Sequence, residues 1–319
     1  MTWQQSIDQF NLPLLPPFAE EVAITDWPQG RDYLHCYDSD FAETYPDVRH
    51  TIGRIDSASY NIAVQCLRRP NARATVFVFH GYYDHVGLYN NVIHYCLKHG
   101  CDVVAYDLPG HGLSSGERAA IDSFHTYRQV LRDVLGAVAD IDLAKPFLAM
   151  AQSTGCAILM SHLLDGGSDD FARSVLMAPL VRPAAWGWGR SAHALLKHLI
   201  HSLPRRFADN SDDQAFLEFL RHRDPLQPRR LPVSWVGALK AWLPWFHALA
   251  PQPDCKVLIL QGDNDDTVDW RYNLPVIRDK FPAYREVAIP GARHHLVKEG
   301  ESYRAKVWSA CDGFLLEGI

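Results

Sequence analysis

The sequence offers no way to pair its cysteines. The seven (Cys36, Cys66, Cys96, Cys101, Cys156, Cys255 and Cys311) are odd in number and scattered, with no C-x-x-C among them. That argues against a disulfide framework or a thiolate metal site and for free, mostly buried thiols in a reducing compartment. The sixteen histidines lack metal-ligand spacing as well, since no H-x-x-x-H stands beside a spare carboxylate. No metal and no cofactor are therefore expected. Positive charge is not in excess: the formal net charge is −6 and the isoelectric point about 6.2, which gives no reason to expect nucleic acid as a partner.

A charged leader is missing too, because the first basic residue is Arg31. The longest run without Asp, Glu, Lys or Arg is Pro146–Leu164, nineteen residues, a length that raises the question of a membrane span. Gln152-Ser153-Thr154-Gly155 interrupts its middle and its start reads as a strand. A soluble, cytoplasmic protein is the expectation.

What is present is enough apolar matter for a substantial core, 47% of 319 residues. Residues 1–47, rich in proline and aromatics, read as an extended arm laid on that core. Thr51–Ile55 and Tyr60–Leu67 alternate as a hairpin does. Thr75–Phe79 (TVFVF), Asp102–Tyr106 (DVVAY), Phe147–Met150, Ser174–Met177, Val257–Leu260 and Arg285–Ile289 are short apolar runs of buried strands. Between them, Leu88–His99, Asp122–Asp140, Cys156–Leu164, Asn273–Lys280 and, at the end, Tyr303–Leu316 have helical spacing. Alternation of this kind predicts a mostly parallel sheet with helices on both faces, and ligands bind such sheets along the edge where the strands end.

The polar residues gather at those ends. Ala151-Gln152-Ser153-Thr154-Gly155 lies where a strand must become a helix, with small residues two before and two after the serine. A turn that sharp needs small neighbours and strains the serine while aiming its hydroxyl outward. Gln261-Gly262-Asp263-Asn264-Asp265-Asp266 follows the VLIL strand, and Pro290-Gly291-Ala292-Arg293-His294-His295 follows the last strand. A serine, an acid and a histidine thus come in that order, each just after a strand. A hydroxyl becomes a useful nucleophile once a histidine takes its proton and a carboxylate fixes the imidazole. The negative oxygen that then develops on a substrate needs N–H donors, which the loop after TVFVF and the residue after the serine can supply.

The chain resembles the α/β-hydrolases, and within them the monoacylglycerol lipase and lysophospholipase branch. The resemblance is carried by HGYYDH at 80–85, DLPGHGLSSGER at 107–118, AQSTG at 151–155, GDNDDTV at 262–268 and GARHHLVKE at 291–299. Ala151 departs from the usual glycine, and His295 stands where relatives often have Glu. The match implies Ser153 as nucleophile, Asp265 as the acid, His294 as the base, and the backbone N–H groups of Tyr82 and Thr154 as the oxyanion hole. It leaves Asp263 and Asp266 as bystanders, gives residues 107–112 the part of a structural loop, and has His80-Gly81 shape the oxyanion loop. Asp84 and His85 either line the site or cap the following helix, with the cap the favoured reading, and His193, His198 and His201 are expected to lie on an amphipathic face.

In this reading residues 48–180 and 253–319 form the hydrolase core, and 181–252 an inserted α-helical cap. Ala192–His201 and Asp213–Arg221 are its expected helices. The insertion holds Trp186, Trp188, Trp235, Trp242 and Trp245 and a net charge of +5, which leaves −11 for the remainder. The tryptophans fit either the cap's own small core or peripheral contact with a membrane or micelle. The resemblance implies an esterase for apolar acyl chains, with lysophospholipid or monoacylglycerol as substrate class. Small-ester, thioester, peptide and carbon–carbon bond hydrolysis by the same triad stay open, as does a non-catalytic binding module on the same scaffold.

Overall fold

A computed structural model describes residues 14–187 and 200–318. Two antiparallel strands open the sheet, β1 (Arg49–Ser57) and β2 (Tyr60–Arg68). Ala58 and Ser59 turn them back on each other, both with positive φ, 47° and 71°, as a two-residue hairpin loop that follows the strand twist requires. The strands that follow are β3 (Thr75–Phe79), β4 (Asp102–Tyr106), β5 (Phe147–Gln152), β6 (Arg173–Met177), β9 (Val257–Gly262) and β10 (Tyr284–Ile289), with a small ribbon of β7 (Ser202–Pro204) and β8 (Arg230–Pro232) between the last three.

The main sheet has eight strands in the order β1-β2-β4-β3-β5-β6-β9-β10. All pairings from β4 to β10 are parallel, while β2 runs antiparallel to both of its neighbours. β3, β4 and β5 have no exposed residue, which is why they read as unbroken apolar runs rather than alternating ones. The helix Asn90–Lys98, which links β3 to β4, packs its buried face on one side of the sheet together with Val307 and Cys311 of the last helix. Phe124–Ala137, Thr154–Leu164 and Trp270–Lys280 pack on the other. The crossovers after β3 and β5 therefore leave on opposite faces, and the crevice that opens between neighbouring β3 and β5 is where this kind of sheet binds ligands.

The strands and helices expected outside 181–252 are found within a few residues, and the α/β class with a mostly parallel sheet holds. The N-terminal region differs. From Leu14 onward it is not an extended arm but a series of short turns (Phe18–Glu20, Ile24–Asp26, Phe41–Glu43) around a two-turn helix, Gly30–Cys36. Its Phe18, Ile24, Trp27, Tyr33, Leu34 and Phe41 are buried. Helices this short carry too few residues to show a period, so only their buried aromatics are legible in sequence. Within 181–252, the helix expected at Asp213–Arg221 is Gln214–His222, capped by the Asp213 carboxylate accepting Phe216 N–H at 3.0 Å. Ala192–His201 falls largely outside the described residues, with Trp188, His193 and His198. A sixteen-residue helix, Val233–Ala248, and the β7–β8 ribbon were not anticipated. Cys66, Cys96, Cys101, Cys156, Cys255 and Cys311 are buried free thiols. No helix among the described residues is long and apolar enough to cross a membrane.

Where β5 turns into its helix, backbone meets backbone. A Cβ on Gly155 would lie 2.6 Å from the carbonyl oxygen of Phe79 and 2.8 Å from that of His80. Main-chain atoms of a central strand cannot move aside cheaply. We expect Gly155→Ala to lower stability by about 1–3 kcal/mol, read as a fall in the urea midpoint without a change in slope.

Candidate active site

Ser153 sits between β5 and the helix Thr154–Leu164 with φ 53° and ψ −112°, a conformation that non-glycine residues rarely adopt and that must be held by its surroundings. It is held from both sides. The Ser153 N–H donates to Met177 O at the end of β6 (2.9 Å), and Ser153 O accepts from Leu180 N–H (3.2 Å) and Cys156 N–H (3.0 Å). Its side chain has no capping bond within its own helix, so the hydroxyl is free to face elsewhere.

It faces His294. Ser153 Oγ and His294 Nε2 are 2.9 Å apart, and His294 Nδ1 lies 2.8 Å from Asp265 Oδ2. All three residues are nearly buried, with exposures of 8%, 5% and 4%. The Asp265 carboxylate also accepts from Gln261 Nε2 at 3.0 Å and from the N–H groups of Thr267 (2.8 Å) and Val268 (3.2 Å). Burial alone would raise its pKa, but His294 and these donors outweigh burial and leave it below the usual carboxylate value. The acid thus stays charged, and charge beside Nδ1 favours the tautomer whose Nε2 can accept the serine proton. Asp263 instead accepts Gly291 N–H at 2.6 Å and Asp266 is exposed, so the bystander reading of both stands.

The two expected oxyanion donors line the same cavity as Ser153. Thr154 opens its helix, so its N–H has no intrahelical acceptor, and the Tyr82 N–H has no protein acceptor among the described residues. Tyr82 is fixed by stacking on Trp235 (centroids 4.0 Å apart) and by donating its hydroxyl to Ala119 O at 2.8 Å. His80 is spent on structure: Nδ1 lies 2.8 Å from Gly81 O, and Nε2 accepts Leu108 N–H at 2.9 Å. The loop 107–112 does what its turn residues suggested. Asp107 accepts Val86 N–H and Leu113 N–H, each at 2.7 Å, and a Cβ on Gly112 would strike that carboxylate at 2.2 Å.

Asp84 and His85 do not cap a helix. The turn Val86–Tyr89 begins with no side-chain cap, and both side chains are drawn into long-range pairs. Asp84 Oδ2 accepts from the Tyr89 hydroxyl (3.0 Å) and lies 3.1 Å from His295 Nε2. Burial would raise this carboxyl, but His295 and Tyr89 hold it well below the usual range. His85 Nε2 lies 3.1 Å from Asp224 Oδ2, and Asp224 also accepts from Tyr37 OH and Gln227 Nε2.

Other supporting residues were also missed in sequence. Gln152 donates to His294 O at 2.8 Å, and buried Glu299 accepts the N–H groups of Arg293 and Asp212. Gln152 and Gln261 could have been noticed as polar residues at the ends of apolar strands. Glu299 and Asp224 have no comparable local signal.

The cavity in front of Ser153 holds about 730 Å³. Its wall is largely apolar, with Leu180, Pro183, Trp186, Leu231, Trp235 and Val268 among its residues. Trp235 and Trp242 are buried, and Trp242 Nε1 donates to Ser161 Oγ at 2.9 Å. Those two tryptophans pack the insertion on the core rather than facing outward.

Comparison with known proteins places the chain beside one family, two relatives and two solved structures. The profile of the hydrolase family described as "Serine aminopeptidase, S33" matches residues 70–301. The chain is 26% identical to the "Monoglyceride lipase homolog" of Monkeypox virus over 255 residues, 77% of this chain and 91% of the viral protein. It is 34% identical to human "Monoglyceride lipase" over 112 residues, 34% of this chain and only 36% of the human protein. Among solved structures, a soluble variant of monoglyceride lipase from Saccharomyces cerevisiae superposes with a TM-score of 0.70 at 16% identity, covering 84% of this chain and 94% of that one. Est1E from Butyrivibrio proteoclasticus, solved with ferulic acid, gives 0.59 at 16% identity, covering 83% and 98%. At such identities these structures bear on the fold, which they share.

The His85–Asp224 pair makes stability depend on pH. Burial lowers the His85 pKa, but Asp224 outweighs it and the net shift is upward; Asp224 is shifted down by the same contact. The His85 contribution is fully present below its unfolded value of about 6.5 and is lost as pH rises through the raised folded value. The Asp224 contribution is present above its unfolded value of about 3.9 and is lost as pH falls through the lowered folded value. Asp224→Asn leaves the imidazole without its partner and should cost about 3–5 kcal/mol where both contributions are full. Urea unfolding at a series of pH values should show the gap between wild type and variant widest between about pH 4 and 6.5 and narrowing above.

Proposed function

The chain belongs to the serine aminopeptidase, S33, family of hydrolases, and we propose that it hydrolyses carboxylic esters with an apolar acyl chain through an acyl-enzyme. One observation carries this reading: a serine hydroxyl on a strained turn, 2.9 Å from an imidazole whose other nitrogen is 2.8 Å from a buried carboxylate, opening into an apolar cavity. Ser153 Oγ attacks the ester carbonyl while His294 Nε2 takes its proton. Asp265 holds the imidazole tautomer and stabilises the imidazolium that forms. The amides of Tyr82 and Thr154 receive the developing oxyanion. His294 then gives its proton to the departing alkoxide, so the alcohol leaves neutral and the acyl group remains on Ser153. A water, deprotonated by the same histidine, attacks the acyl carbonyl; the carboxylic acid leaves and Ser153 Oγ takes the proton back from His294.

Residues 181–252 are assigned as the cap that forms the acyl pocket, since Trp186, Leu231 and Trp235 of this segment line the cavity. Lysophospholipid and monoacylglycerol are the favoured substrate classes; the names of the relatives that match speak for monoacylglycerol. The family's description names a peptidase; the largely apolar wall favours an ester over a peptide.

Ser153→Ala should lower kcat for a medium-chain ester by at least about a thousandfold while leaving the folded state intact, and retained turnover would overturn the assignment. Asp265→Asn should cost about ten-thousandfold in kcat with little change in KM. A fluorophosphonate should label Ser153 in the wild type and nothing in Ser153→Ala. A chain-length series of simple esters should favour medium or long acyl groups, whereas preference for acetate or butyrate would point to a small-ester esterase.

A further inference from the structure

The apolar cavity in front of Ser153 contains a cation that has no carboxylate of its own. Arg205 follows β7 and lines the cavity wall. Its backbone N–H donates to Arg229 O at 3.0 Å, which continues the β7–β8 ribbon. Its Nη1 donates to Gln227 Oε1 and, at 3.1 Å, to Pro228 O. The guanidinium carbon lies 3.9 Å from the ring centroid of Tyr83, another wall residue, and 4.4 Å from that of Phe207. Gln227 cannot swing away, because its Nε2 is bonded to buried Asp224 at 2.8 Å. One edge of the guanidinium is thus fixed, while Nε and Nη2 have no protein acceptor among the described residues.

Other arginines show what a partnered side chain looks like in this chain. Arg182 with Asp269 and Arg278 with Glu286 close at 2.7 Å. No Asp or Glu among the described residues stands that close to Arg205. The one carboxylate among the described residues of the cavity wall, Asp84, is engaged by Tyr89 and His295. Arg206 lines the same cavity, is exposed, and also has no carboxylate partner among the described residues. Burial lowers the Arg205 pKa to about 10, so it remains a cation at neutral pH. A partly buried cation is costly unless something pairs with it. A guanidinium with a free Nε/Nη2 edge presents the fork that grips a phosphate or carboxylate with two parallel bonds.

We propose that Arg205, with Arg206 outside it, forms an anion subsite in the ester cavity, so that the preferred esters carry a phosphate or carboxylate rather than a neutral headgroup. The proposal rests on the cavity being the ester site and adds the charge of the substrate to it.

The test compares three soluble esters with one acyl chain: decanoylglycerol, decanoylglycerol phosphate, and the decanoyl ester of 3-hydroxypropanoate. Wild-type protein should turn over one or both anionic esters with kcat/KM about 10- to 100-fold above the neutral one at low salt. Arg205→Gln should remove most of that advantage while changing the neutral ester by less than about threefold, and Arg205→Lys should restore part of it. Which anionic ester gains identifies phosphate or carboxylate as the source of the charge. Equal losses on neutral and anionic esters would make Arg205 a structural tie and overturn the subsite, as would a wild type with no anionic preference. Should Arg205→Gln not fold, the wild type decides: raising salt from about 20 mM to about 0.5 M should raise KM for the anionic esters alone, and equal response would overturn the proposal. Absence of turnover on all three esters would instead strike at the esterase reading itself.

Discussion

The structure depends on one close approach. The turn at Ser153 brings the start of a helix against the main chain of β3, leaving no room for a Cβ at residue 155. That contact does two things at once. It forces Ser153 into positive φ with its hydroxyl directed away from its own helix, and it puts the first N–H groups of that helix beside the loop that follows β3. The neighbours at β6 hold the strained residue in place through bonds to both its N–H and its carbonyl. Strain of this kind persists only when the surroundings over-determine it. Here they do so because β3, β5 and β6 are central, parallel and fully covered.

The partners of Ser153 are held differently. Asp265 is fixed within its own loop, but the His294 loop leans on the insertion. His295 N–H donates to Asn210 O at 2.8 Å, the Ser211 hydroxyl to Lys298 O at 2.6 Å, and Glu299 joins Arg293 to Asp212. Asp224 and Trp235, from the same insertion, reach His85 and Tyr82 on the loop after β3. The segment between β6 and β9 therefore braces both the proposed base and the proposed oxyanion loop. A covering segment tied down in this way is a structural part of the site as well as a wall of its cavity.

This explains what could and could not be seen in the sequence. Buried parallel strands write themselves as unbroken apolar runs, and a residue just after such a strand lands at the sheet edge wherever the strand lies in the chain. Ser153, an acid and a histidine were legible for that reason, with the family resemblance needed to select Asp265 and His294, while the loop at 107–112 was legible from its turn residues. Asp84 and His85 were misjudged because local spacing made a cap the simplest account. Their true partners are 211 and 139 residues away, a distance across which pattern carries no information. The helix Val233–Ala248 was missed because it is apolar almost all round, with Trp235, Leu239, Trp242, Leu243 and Phe246 buried, so no clear stripe separates it from a run of core residues.

Charge shows the same division between local and distant causes. Summed over its residues the insertion is basic, which fits either a surface facing lipid or a solvated face over a small core. Residue by residue, much of that charge is already committed: Arg182 to Asp269, Arg221 to Asp209, Arg230 to Ser202. Two of its five tryptophans are spent on packing. What is left near Ser153 is Arg205, tethered at Nη1 by Gln227 and Pro228 and with no carboxylate opposite its remaining N–H groups. The hydroxyl, imidazole and carboxylate of the proposed triad would serve any ester alike, so discrimination must come from groups that touch the rest of the substrate. In a wall that is otherwise mostly apolar, an unpaired guanidinium is the feature with the largest energetic leverage over which ester is held.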